Sequence, residues 1–369
     1  MKPFLLRLSV FLLPLLILFF VPAFTVIKSG ETMQPGQLYS KQCERNGLVG
    51  LAYSYPVKTY KLGGIKKIKP AILIAGSSRV MQLRGDFFNT KSVYNAGGFV
   101  ANIADALCLL NNLPAGYNPK ILILGLDQYF FNAAWDSVVM KGSCDLEEEG
   151  ADLRSLIKYN FTGIYADYFK RKILPGKLIT GNGIGLNALM NNEGFRTDGS
   201  YRYGKLLSNP TADEDYGFKD TYKRISSGMG RFEYATDINM RAVALLDNIL
   251  KTCAERNIHV IGFLPAYPHI IVDTLMKLGD RYSYMGKLAG VLKPLFNKYG
   301  FTFADYTDAA TLNAGPGEFI DGFHVSEKAM LRLIMDLYAR DNILQQYCDT
   351  AKMKSLFINA KSDRSVMGD

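Results

Sequence analysis

The sequence predicts an α/β fold in which short parallel strands alternate with helices that cover the sheet. Three observations predict it. Residues 71–75, Ile121–Gly125 and His259–Leu264 are short continuous apolar runs, the pattern of strands buried on both faces. Stretches with helical apolar spacing at 103–113, 238–254 and 284–299 lie between or beside them. Gly76, Gly97 and Asp127 fall at or just past strand ends, where open parallel sheets bind their ligands.

Taken in order, residues 8–27 are an almost uninterrupted apolar run, long enough to span a bilayer, and Lys2 and Arg7 precede it. Residues 1–27 are therefore expected as an uncleaved transmembrane anchor with the following chain outside the cytoplasm, in the periplasm. A cleaved signal peptide is the rival, but no small-x-small cleavage site follows. Residues 28–69 read as a polar approach segment. The strand at 71–75 breaks at Gly76-Ser77-Ser78-Arg79, and a second piece, Ser92-Val93-Tyr94, runs into Asn95-Ala96-Gly97-Gly98. Phe301 to Asp305 supplies a further strand after the 284–299 helix. Residues 131–235 break the rhythm. They are polar and rich in Gly, Tyr, Asn and Asp, and a structureless loop of that length is improbable, so they read as an insertion with its own helices. Residues 70–345 then form one domain interrupted by that insertion, and 346–369 a C-terminal tail.

The composition narrows the function classes. With 48% hydrophobic and 21% charged residues the chain is globular in make-up and not disordered. The net charge of +9 over 369 residues is modest, and the one dense basic cluster (Lys58, Lys61, Lys66, Lys67, Lys69) lacks the aromatic platform that single-strand binders use, which argues against nucleic acid. The five cysteines have no C-x-x-C spacing and there are three histidines, so no metal or cofactor is expected. Cys43 and Cys144 lie in loop-like surroundings and are disulfide candidates, whereas Cys108 and Cys253 sit on apolar helical stretches and read as buried thiols. Gly181-Asn-Gly-Ile-Gly185 lacks the strand and spacing of a nucleotide-binding loop.

The chemistry concentrates in two distant segments. In Phe319-Ile320-Asp321-Gly322-Phe323-His324 an Asp precedes a His by three residues, a spacing that lets the carboxylate hold the imidazole in the tautomer that accepts a proton from a hydroxyl. The matching hydroxyl is Ser78, after the first strand, with free backbone N–H groups expected around it. Gly76-Ser77-Ser78-Arg79-Val80 lacks the second glycine of the α/β-hydrolase elbow. His259 and His269 read as structural or cleft-rim residues.

These residues resemble the SGNH (GDSL-like) hydrolase superfamily. Gly76-Ser77-Ser78 resembles its first block, Asn95-Ala96-Gly97 its second, and Asp321 to His324 its Asp-x-x-His block; Gly125-Leu126-Asp127 stands at the third, with Asp in place of Asn. The resemblance covers roughly 70–130 and 238–340. It implies a three-layer α/β/α domain with a parallel five-stranded sheet, beside the N-terminal transmembrane helix and the long insertion. Ser78, His324 and Asp321 are then the catalytic residues. The Ser78 and Gly97 amides form the oxyanion hole, and Asp127 departs from it unless Gln128 or Asn132 substitutes. Arg79 and Asn95 are expected on the substrate side, with an ion pair packing the helix start as the alternative for Arg79. Gly-Ser-Ser after an anchor is most similar to the cell-envelope acyltransferase branch, which includes alginate O-acetylation and teichoic acid D-alanylation proteins. That implies transfer of a small acyl group to an envelope polysaccharide, beside a multispanning acyl exporter and membrane lipid. The Asp127 departure motivates the alternative, a non-catalytic scaffold that binds glycan.

Overall fold

The computed structural model describes residues 2–136, 144–146 and 150–367; the stretches 137–143 and 147–149 of the predicted insertion lie outside the described residues. Among the described residues seven strands are present: β1 (Ile72–Gly76), β2 (Val93–Gly97), β3 (Ile121–Gly125), β4 (Glu193–Phe195), β5 (Tyr201–Tyr203), β6 (His259–Leu264) and β7 (Thr302–Asp305). Five form one sheet in the order β2-β1-β3-β6-β7, and every neighbouring pair is parallel. The protein is thus a mixed α/β fold with a five-stranded parallel sheet flanked by helices.

The continuous apolar runs are explained by burial. All residues of β1, β2 and β3 are buried. Ile72, Ile74, Ile121, Ile123, Ile261 and Phe263 share a core with Leu331, Ile334 and Leu337 of the helix Glu327–Arg340. The opposite face meets other helices: a Cβ at Gly262 would collide with Phe296 of the helix Ser283–Lys298, so only glycine lets that helix approach β6. Chain direction along the sheet reverses between β1 and β3, because β1 is followed by β2 on one side and β3 takes the other. The carboxyl ends of β1 and β3 therefore flank a topological switch point.

The chain divides into two compact units. The larger holds the sheet and comprises residues 64–145, 198–201 and 205–369. The smaller comprises residues 1–63, 146–197 and 202–204. In it the first helix, Lys2–Ser29, packs on the helix Leu153–Phe169, where the Tyr165 hydroxyl donates to the Leu18 carbonyl (2.6 Å) and Thr25 Oγ1 meets the Tyr168 hydroxyl (2.8 Å). Val26, Leu156, Ile164 and Leu178 form its core. Among the described residues no helix is long and apolar enough to cross a membrane. The predicted insertion contributes to both units: residues 150–197 fold with the amino-terminal segment, while 205–235 fold with the sheet. The C-terminal segment carries the helix Thr350–Ile358, whose Met353 joins the sheet core.

The cysteine expectation needs correction at two positions, Cys108 and Cys43. Cys108 is not a thiol but is disulfide-bonded to Cys144, the two Cα atoms lying 5.4 Å apart. The end of the helix Ile103–Asn111 is brought beside a loop that the sequence leaves 36 residues away. Cys253 is a buried free thiol as expected, Cys348 is another, and Cys43 is exposed and free.

Candidate active site

The Ser78 segment is built by the end of β1. Ser77 caps a single 3-10 turn, Ser78–Val80, by accepting the Arg79 N–H on its hydroxyl (3.1 Å). The turn lies close over the strand ends. A Cβ on Gly76 would stand 2.8 Å from Val80 Cγ1, so glycine there lets Val80 seat and the turn sit low. Ser78 itself is half-buried, with its neighbours Ser77 and Arg79 buried.

The chain then returns from a separation of 246 residues to meet it. His324 Nε2 lies 2.8 Å from Ser78 Oγ, and His324 Nδ1 lies 2.6 Å from Asp321 Oδ2. The remaining oxygen, Asp321 Oδ1, accepts the backbone N–H groups of Phe323 (2.7 Å) and His324 (2.6 Å). The carboxylate is thus held by the very turn that presents the imidazole, which is how a spacing of three fixes the tautomer. Burial pushes the Asp321 carboxyl up, but the charge and hydrogen bond of His324, with the two amides, outweigh it and hold it down at about 2. The site therefore keeps an ionised Asp321 against an imidazole whose Nε2 faces a hydroxyl. That arrangement can take a proton from Ser78 as its oxygen attacks an acyl carbon.

One arginine and one aspartate, Arg79 and Asp215, support this relay. Arg79 is 1% exposed. Its Nε donates to the Phe323 carbonyl (3.1 Å), Nη2 to the Ala266 carbonyl (2.6 Å), and Nη1 to Asp127 Oδ1 (3.1 Å) and Gln128 Oε1 (2.8 Å). Its guanidinium also lies over the Tyr267 and Phe323 rings, at 4.0 and 4.7 Å from their centres. The geometry is that of the buried ion pair, not of a substrate clamp: the guanidinium ties the Ser78 turn to the residue before His324. Asp215 does the same from another side. Its Oδ2 accepts the Gly322 N–H (2.8 Å) and the Thr221 hydroxyl (2.6 Å), so the 205–235 segment braces the Asp321 loop. Nothing in the sequence links position 215 to 322, since the contact depends on the insertion's fold.

The expected oxyanion donors fare differently. The Gly97 N–H donates to Asn95 Oδ1 (2.6 Å), so in this structure it is occupied. Asn95 is wholly buried, with Nδ2 donating to the Val80 and Leu83 carbonyls (2.8 and 2.7 Å); it shapes the floor under the Ser78 turn and has no exposed surface. Gln128 spends its amide on the Pro265 carbonyl (2.8 Å) and Thr307 (3.0 Å), and Asn132 donates to the Glu233 carbonyl (2.6 Å). Asp127 is buried, one oxygen on Arg79 and the other, Oδ2, without a partner among the described residues. The Ser78 N–H has no hydrogen-bond partner among the described residues and is the donor that remains.

The other two histidines lie apart from the relay. His259, at the start of β6, pairs with Asp341 (2.7 Å), and His269 pairs with Asp308 (2.8 Å) at an exposed helix start. Among the described residues no group of three or more His, Cys, Asp or Glu side chains could hold a metal ion.

No protein-family model matches this chain, and no curated protein matches it. The class of the site accordingly rests on its own geometry, a hydroxyl, an imidazole and a carboxylate in series at the switch point of a parallel sheet.

Proposed function

We propose that the protein is a membrane-anchored, extracytoplasmic serine acyltransferase or esterase of the SGNH type, acting on an envelope polysaccharide, with O-acetyl transfer favoured. The observation that carries this reading is the relay Ser78–His324–Asp321, with contacts of 2.8 and 2.6 Å in the order that proton transfer needs. Ser78 Oγ bonds to the acyl carbon as its proton passes to His324 Nε2. The leaving oxygen takes that proton from His324, and an acyl ester of Ser78 remains. An acceptor hydroxyl then gives its proton to His324 and attacks the ester, after which Ser78 recovers the proton. Asp321 stabilises the imidazolium at both stages, and the Ser78 amide faces the developing oxyanion.

Several features support the finer parts of the reading. The five parallel strands are what the superfamily resemblance implies. For the anchor, the helix Lys2–Ser29 leaves Phe4, Val10, Phe11 and Phe20 each more than 60% exposed, a costly arrangement in water and an ordinary one in lipid. An anchored enzyme suits an acyl donor delivered through the bilayer by a multispanning partner. The choice of transfer over hydrolysis draws on the Tyr- and Asn-rich insertion, whose residues suit sugar rings.

Replacing Ser78 or His324 with Ala should abolish acyl transfer and ester hydrolysis, and end labelling by a serine-directed fluorophosphonate, while the melting temperature stays nearly unchanged. Full activity in either variant would remove this mechanism. One observation favours a second reading, a non-catalytic glycan-binding scaffold: the Gly97 N–H is committed to Asn95, and Asp127, paired with Arg79, offers an acceptor where a donor is needed, which leaves the oxyanion hole short of donors. Wild-type chain that is folded yet unlabelled by the fluorophosphonate would decide for the scaffold.

A further inference from the structure

Phe323, the residue between the catalytic loop's Gly322 and His324, is surrounded by positive charge. The guanidinium carbons of Arg79, Arg231 and Arg224 stand 4.7, 5.7 and 5.9 Å from its ring centre, and the ring itself lies 5.2 Å from that of His324. Two of the three cations have counter-charges. Arg79 is paired with Asp127, and Arg224 with Asp220 at 2.9 Å. The Arg231 guanidinium makes no hydrogen bond and no ion pair among the described residues, and it is only half-buried. It is held instead by aromatic rings, with Tyr129 at 5.2 Å and Phe323 beyond it.

The backbone is arranged to put it there. Arg231 has φ +76°, a left-handed conformation that a side chain of this size rarely adopts, at the end of a turn carrying Gly228 and Gly230 at φ +61° and +63°. The neighbouring Glu233 carboxylate is used for that turn and not for the guanidinium. Glu233 Oε1 accepts the Arg231 backbone N–H (3.2 Å), and Oε2 accepts the Trp135 indole N–H (2.8 Å). A strained backbone thus delivers an uncompensated cation to the rim of the relay, where a guanidinium offers paired donors matched to carboxylate or phosphate oxygens.

We propose that Arg231 is the specificity-determining residue of this site and binds the anionic oxygens of an acidic acceptor glycan, a carboxylate on a sugar or a phosphate ester linking sugars. The assignment rests on the acyl-transfer reading for its meaning, but its test does not need turnover.

The full-length chain in a neutral detergent, in the Ser78→Ala background, is titrated by calorimetry with three probes: an oligouronate, an oligo(glycerol phosphate) and a neutral oligoglucoside. The chain's single tryptophan, Trp135, lies 4.8 Å from Tyr129, so its fluorescence locates the bound probe. The expected result is binding of at least one acidic oligomer that perturbs Trp135. That binding weakens at least about tenfold in Arg231→Gln, partly survives in Arg231→Lys, and falls as salt screens the contact. The stronger of the two acidic probes identifies the source of the anion. Arg231→Gly separates this role from folding, because glycine relieves the left-handed backbone: its melting temperature should match or exceed that of the parent while acidic binding is lost. Equal acidic binding with and without the Arg231 guanidinium would overturn the proposal. So would an equal loss of the neutral probe, or no acidic binding at all. Fluorophosphonate labelling of the Ser78-intact chain, run in parallel, reports separately on the serine mechanism, so either idea can fail alone.

Discussion

Asp321→Asn is the substitution on which the serine mechanism can be judged most sharply, because it removes a charge and almost no volume. In the native site one Asp321 oxygen accepts two backbone N–H groups and the other accepts His324 Nδ1–H. Asparagine has a single carbonyl oxygen to divide between these roles. If that oxygen stays on the amides, the side-chain NH2 faces Nδ1 and forces the proton to Nε2, which then points an N–H at Ser78 where a base is needed. If it turns to Nδ1, the NH2 opposes two backbone donors and the loop loses its anchor. Either way a loss of about 10³ to 10⁴ in acylation rate follows, the cost of the wrong tautomer in such relays. A stability term accompanies it. The carboxyl is held at about 2, below the ordinary value of a free aspartate, a difference that corresponds to roughly 2 kcal/mol at neutral pH. The sign is that of a depressed acid: the contribution is present above the unfolded value and lost as the pH falls towards the folded one. Acylation is read as the rate of fluorophosphonate labelling and of the burst with an activated acetyl ester, and stability by urea unfolding at pH 7. An Asn variant that labels within threefold of the parent rate, with its fold intact by near-ultraviolet dichroism, would refute the role given to Asp321.

Arg79→Met should cost about 3–5 kcal/mol in urea unfolding, because it strands the buried Asp127 carboxylate and frees the carbonyls of Phe323 and Ala266; a cost under about 1 kcal/mol would mean that Arg79 does not hold the two halves of the relay together. Reducing the Cys108–Cys144 bond, or replacing both residues with Ser, should lower stability by about 3–4 kcal/mol from the loop entropy of a 36-residue separation, and the two treatments should agree. Asp341 is pushed up by burial but held down at about 2 by the His259 and Thr302 donors, so the parent should lose stability as the pH falls from about 4 towards 2, and Asp341→Asn should flatten that part of the profile. An unchanged slope in the variant would assign the acid transition to other carboxylates.

The division between what the sequence determined and what the tertiary structure decided follows the range of the interactions. The strands at 72–76, 121–125 and 259–264 were legible because a parallel strand covered on both faces must be apolar at every position, a property of the strand alone. Asp321 and His324 were legible as a pair for the same reason, since a spacing of three closes within one turn, whatever the rest of the chain does. Ser78 was legible only as a hydroxyl beyond a buried strand; its meeting with His324 is a product of the sheet order. What remained hidden was the choice of partners at long range. Gly97 offers an N–H that looks free until the Val80 and Leu83 carbonyls take the Asn95 amide and so turn its Oδ1 onto Gly97 two residues along, and Arg79 reads as a clamp until Asp127, Ala266 and Phe323 close around it. Cys108 looks like a core thiol until its helix end meets the loop of Cys144. Each of these groups can be satisfied by several neighbours of equal local merit. Burial makes a partner obligatory, and only the packing of distant segments selects which one it is.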